Sequence, residues 1–283
     1  MVSFACLAPH GWLAVPLLCG PEDIPAHATR EGLETLGKGL AEAAPETIVL
    51  MSPHGLMVEG AISILDSSVV EGSTEGMPWA ANSRHSLRLA FEVDTELNAG
   101  IAAHSHEAGI PVLRVANNAA WEPLLLDFGA LIPLWYAGAT LQPRPKVVIL
   151  SPDRRLSPID LRSCIALGRA VRETAATTGR RIAFVASGDL AHSHDADHAY
   201  GYDPAAAEWD AAVVDAVRSG DLASLLSFDN DALRRAKTDA FGPLMCLYGL
   251  LEGSNLRGEL LSYEAPTYFG MACAAWTQRE ARG

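Results

Sequence analysis

The sequence predicts an α/β fold: a single-domain α/β sandwich over residues 1–283, with a central mixed, largely parallel sheet covered by helices on both faces. Three observations lead to it. Four short apolar runs, rich in β-branched residues, each empty into a polar turn; five longer segments repeat apolar residues every three or four positions; and the two kinds alternate along the chain. Strands buried on both faces read as continuous apolar runs, and their functional crevice lies beyond their carboxyl ends.

The first run, residues 2–7, leads into Ala8-Pro9-His10 and is a strand. Helical spacing follows over 28–43, then a second strand, Thr47–Met51, that ends at Ser52-Pro53, because the residue before proline favours extended backbone over helix. Residues 66–84 are rich in Ser, Gly, Glu and Pro and read as a surface loop or lid beside the crevice. A helix is expected over 95–108, a strand over 146–150 ending in Ser151-Pro152, and a helix over 161–177. The fourth strand, 182–186, runs into Ser187-Gly188-Asp189, and helices follow over 205–219 and 243–251. No repeat, linker or low-complexity tract divides the chain, so one domain is expected.

Composition narrows the function. The balance of 34 acidic against 21 basic residues, net −13, argues against a nucleic-acid partner, whose affinity comes mostly from Lys and Arg on phosphates. No apolar run reaches the roughly 18 residues that span a bilayer, and the first twenty residues lack a basic leader, so the expected location is cytoplasmic, away from membranes. Five scattered cysteines, never spaced C-x-x-C, indicate neither a disulfide framework nor a thiolate zinc site.

Nine histidines are more informative. His10 and His54 share one frame, a strand followed by Pro-His-Gly, in which proline stiffens the exit and glycine permits a turn and close ligand approach. That suits a pair of metal ligands; the alternative is two strand-end imidazoles bonded to a loop. A third cluster, residues 187–198, carries His192, His194 and His198. His192, nearest the strand end, is the candidate catalytic imidazole, whereas His194 and His198 read as exposed. Two histidines and one carboxylate with open positions form the facial arrangement of non-haem Fe(II) oxygenases, and also describe catalytic zinc. Asp189, Asp239 and Glu264 all remain candidates for the carboxylate, and Asp189 also for orienting an imidazole. Trp12, Trp79, Trp121, Tyr268 and Phe269 are candidates to wall an aromatic ligand.

Taken in order, Ala-Pro-His10-Gly, Ser-Pro-His54-Gly, Ser-Gly-Asp-Leu-Ala-His192, Gly201-Tyr-Asp-Pro204 and Ser262-Tyr-Glu-Ala-Pro266 resemble the class III extradiol ring-cleavage dioxygenases of the protocatechuate 4,5-dioxygenase β-chain type, over nearly the whole chain. The resemblance implies one Fe(II), with zinc an alternative occupant on purification, and a catechol-like or aminophenol-like substrate opened with O2. It implies His10 and His54 as metal ligands and His192 as the acid and base. The family's third ligand is a glutamate shortly before a Pro-Leu helix; Asp239 falls there, in Lys237-Thr-Asp-Ala-Phe-Gly-Pro243, and its shorter side chain requires a closer backbone approach. Glu264 is the fallback ligand. Many members carry Asp-His-Gly where this chain has Asp127-Phe128-Gly129. Alternative functions are a non-catalytic metal-binding or scaffold member of the same superfamily, or a metal-dependent hydrolase. A homodimer is the default assembly, the need for a small accessory subunit stays open, and activity is expected to fall below about pH 6 as the ligand imidazoles protonate.

Overall fold

In the computed structural model, which describes residues 1–20, 23–80, 83, 85–119, 122–139, 141–153 and 158–278, the four apolar runs become four neighbouring strands. The strands are β1 (Val2–Ala8), β2 (Thr47–Met51), β3 (Ile62–Leu65), β4 (Val69–Ser73), β5 (Arg88–Glu92), β6 (Val112–Val115), β7 (Leu124–Leu125), β8 (Lys146–Ser151), β9 (Ile182–Ser187), β10 (Leu256–Glu264) and β11 (Met271–Gln278). The helices are α1 (His27–Ala43), α2 (Thr95–Glu107), α3 (Phe128–Ala137), α4 (Pro158–Thr177), α5 (Ala205–Ser219), α6 (Asn230–Ala236) and α7 (Phe241–Leu251).

The main sheet runs β10-β11-β1-β9-β2-β8-β3-β6. Its centre, β1, β9, β2 and β8, is parallel. Antiparallel β11 and β10 extend one side, and β3, antiparallel to β8, carries β6 on the other. Successive residues of a strand face opposite sides, and the core divides accordingly. Ala5, Leu7, Val49, Met51, Val148, Leu150 and Phe184 meet α2, α4, α5 and α7, whereas Phe4, Cys6, Ile48, Leu50, Val147, Ile149 and Val185 meet α1 and α3. Both faces are therefore closed, and the open ends of the parallel strands are left as the place where polar groups gather. No helix among the described residues is long and apolar enough to cross a membrane.

The segment 66–84 corrects one expectation. Its middle is β4, which pairs with β5 and β7 in a separate three-stranded sheet, with Val70 fully buried. Two adjacent valines and cross-strand bonds outweigh the Ser, Gly and Glu content that reads as loop. Residues 81, 82 and 84 of that stretch, and Trp121, lie outside the described residues.

Candidate functional site

Because β1, β9, β2 and β8 are parallel, their carboxyl ends deliver His10, Asp189 with His192, His54 and Asp153 along one edge of the sheet. Asp239 arrives from the α6–α7 connection. His54 Nε2 lies 3.0 Å from both His10 Nε2 and Asp239 Oδ2, and His10 Nε2 lies 3.4 Å from Asp239 Oδ2. Among the described residues, this is the one trio of His, Cys, Asp or Glu ligand atoms so closely gathered. Three lone-pair-bearing atoms at such distances repel one another unless a proton or a metal cation is shared among them. The spacing matches neighbouring ligands on one ion with bonds of about 2.1 Å, so a divalent metal fits the donor set.

The two Pro-His-Gly glycines are needed for room rather than for a turn. Gly11 has an ordinary φ of −61°, but a Cβ there would come within 2.5 Å of the Phe269 ring, and one at Gly55 within 2.1 Å of Ser151 Oγ. Gly188 solves the problem of the short aspartate. A Cβ at that position would lie 2.5 Å from Ala240 Cα, so its absence lets the Asp239 loop press against the end of β9. Ala240 N–H then donates to the Asp189 carbonyl at 3.2 Å, and Asp189 N–H donates to Asp239 Oδ1 at 2.9 Å.

Charge accumulates around His10. The ring is buried, its backbone N–H donates to Asp189 Oδ1 at 3.1 Å, and its Nε2 lies 3.5 Å from Asp189 Oδ2. Burial by itself lowers an imidazole pKa, but Asp189 and Asp239 outweigh it and lift that of His10 to about 9. Burial pushes the Asp239 carboxyl up, and the facing imidazoles, led by His10, pull it further down, below the usual carboxylate range. Asp189, buried with fewer compensating contacts, is held above that range.

His192 stands beside this trio, its Nε2 3.9 Å from Asp239 Oδ2. Its Nδ1 lies 2.9 Å from the Lys237 carbonyl, which can only accept, so the neutral ring carries its proton on Nδ1 and leaves Nε2 basic. Lys237 closes α6 in the left-handed conformation, φ 56°, as it hands the chain to Asp239.

The other candidates separate. Glu264 accepts from Thr29 N–H at 2.6 Å and so caps α1, whose own N-cap, Ala26, has no side-chain acceptor; this assigns it a structural task in place of the fallback ligand role. His194 is half-buried rather than exposed: its Nε2 lies 2.8 Å from Asp210, a fully buried carboxylate that also accepts from Ala191 N–H and the Tyr263 hydroxyl, each at 2.9 Å. His198 is half-buried too, stacked on Tyr268 with centroids 3.6 Å apart. Asp210 escapes sequence reasoning because, within an amphipathic helix, it reads as one more solvated acid.

An aromatic belt links the trio to His192. Phe128 stacks on His54 at 4.5 Å and meets His10 edge-on at 5.6 Å. From it Trp79, Trp12, Phe269 and His192 follow at 5.6, 5.6, 5.6 and 5.9 Å between successive centroids. Four of the expected wall residues are thus together, with Tyr268 at 4.7 Å from Phe269, and Phe128 joins them.

Residues 5–273 match the catalytic LigB subunit of aromatic ring-opening dioxygenases. The chain belongs to this family. Among relatives of this LigB-family chain, Protein CA_C1420 of Clostridium acetobutylicum is 28% identical over 261 residues, a match covering 91% of this chain and 54% of that protein. The chain therefore spans about half the length of this curated relative. The crystal structure of uncharacterized protein JW3007 from Escherichia coli K12 superposes with a TM-score of 0.58 at 17% identity, covering 96% of this chain and 99% of the other; the two share a fold.

Proposed function

We propose that this LigB-family protein is an extradiol dioxygenase that opens the ring of a catechol-like or aminophenol-like substrate with O2, with His10, His54 and Asp239 holding a ferrous ion and His192 as acid and base. The observation that supports the reading most strongly is the convergence of His10 Nε2, His54 Nε2 and Asp239 Oδ2 within 3.4 Å of one another. A ferrous ion held there supplies open positions at which substrate and O2 meet, and an electron path between them.

The chain does the rest. His192, with Nδ1 bonded to the Lys237 carbonyl, offers Nε2 to take a proton from a substrate hydroxyl and to return it as the ring opens. The belt from Phe128 to Phe269 gives a planar ring an apolar, aromatic surface to lie on beside the trio. Phe128 gives the substrate an apolar flank where an imidazole would give a hydrogen bond.

Anaerobic loading with Fe(II), followed by a catechol panel including protocatechuate and 4-methylcatechol in oxygenated buffer, tests the reading. Oxygen uptake matched by a yellow ring-opened product is expected, with His192→Ala retaining iron and losing turnover. Full iron occupancy without oxygen uptake on any panel member would overturn it, and ester or amide cleavage without O2 would replace it with a hydrolase.

A further inference from the structure

Helix α3 contains a proline in its interior, Pro133. Proline has no N–H, so the carbonyl four residues earlier, that of Gly129, loses its helical partner. That carbonyl is not left bare: the Ser187 hydroxyl, at the end of β9, donates to it. Ser187 is fully buried, and its one proton is committed to the carbonyl, so its oxygen faces His10 Nδ1, 3.0 Å away, as an acceptor. His10 Nδ1 therefore carries a proton, and Nε2 is the nitrogen turned toward His54 and Asp239.

We infer that Pro133, the Gly129 carbonyl and Ser187 form a positioning relay that fixes the tautomer and ring orientation of His10 and so presents its Nε2 to a metal ion. The inference rests on the metal-site reading above and adds residues to it. Ser151 gives the contrast. It ends β8 as Ser187 ends β9 and is equally buried, yet its hydroxyl has no hydrogen-bond partner among the described residues. A serine at a strand end is thus not sufficient; the freed carbonyl behind it gives Ser187 its direction.

Outer partners of metal-bound histidines typically change affinity by about 10–100-fold. Calorimetric titration of the metal-free protein with Co(II) should show that loss for Ser187→Ala. Pro133→Ala, which restores a competing N–H in α3, should lose less affinity while its melting temperature holds or rises. Ser187→Thr should bind as the parent does, and Ser151→Ala should be unchanged. A second readout does not need the ion: nitrogen-15 NMR of the metal-free protein above pH 9, where the His10 ring is neutral, should show its one proton on Nδ1, and Ser187→Ala should shift that proton toward Nε2. If the parent binds no Co(II) yet shows that proton, the metal reading fails and the relay stands. Parent-like affinity and an unchanged His10 proton in Ser187→Ala would overturn the relay.

Discussion

His10 and His54 sit in the same four-residue frame, and the fold treats them differently. His10 leaves β1, between β9 and β11, and is buried among Ser187, Asp189 and Asp239. His54 leaves β2, between β9 and β8, and stays exposed; its bonded ring contacts are through Nε2 to His10 and Asp239, and Phe128 covers one face. Local sequence sets where an imidazole leaves its strand. Position in the sheet sets how tightly it is held and how charged it is.

The largest effect that separates the two comes from removing each ring. His10→Ala and His54→Ala should both weaken Co(II) or Fe(II) binding by more than about 100-fold, beyond the loss an outer partner causes. They should part in metal-free stability. His10→Ala strands the buried Asp189 carboxylate and should cost about 3 kcal/mol in a urea titration, whereas His54→Ala should cost far less. Equal stability losses would break the contrast.

Protonation sharpens it next. With the His10 pKa near 9, binding of an ion expels a proton from that ring, so apparent affinity should climb about tenfold per pH unit from pH 7 to about 9 and then level off. Calorimetry in matched buffers checks the slope. Affinity should therefore begin to decline at a higher pH than the pH 6 at which activity is expected to fall, because Asp189 and Asp239 hold the proton on His10. In the metal-free protein, the stabilisation from His10 is fully present below the ordinary imidazole value of 6.5 and is lost as pH rises through about 9. That from Asp239 is present above the ordinary carboxylate value of 3.8 and is lost as pH falls below it.

The carboxylates come third. Asp239→Ala should lose metal as the histidine variants do, while Glu264→Ala should bind normally and melt earlier by the roughly 1 kcal/mol of a lost helix cap. The reverse pattern would exchange their roles. Smallest is Phe128→Leu, which removes the stacked ring from His54 but no ligand; metal affinity should change by no more than about tenfold, in line with the ~0.5–1.5 kcal/mol of an aromatic contact. A larger loss would mean that the ring holds His54 in place.

The parallel centre of the sheet was legible because runs such as Thr47–Met51 and Lys146–Ser151 are apolar on both faces and stop at Ser-Pro. The flanks were not. β11 is rich in alanine, a helix former, and β10 alternates exposed and half-buried residues around Gly258. α3 is apolar all round and carries Pro133, so it shows neither a stripe nor an unbroken helical stretch. In the site, the repeated frame exposed His10 and His54, and the dense polar cluster after β9 exposed His192. Asp239 lies in a link between two helices, and only the family resemblance distinguished it from other acids. Ser187 was visible only as a strand-end residue, since its task depends on a carbonyl 58 positions away.

Diffraction at the iron edge from crystals loaded anaerobically with Fe(II) tests the central claim most directly. One anomalous peak is expected about 2.1–2.2 Å from His10 Nε2, His54 Nε2 and Asp239 Oδ2 together. A peak elsewhere, or one that Asp239 does not touch, would contradict it.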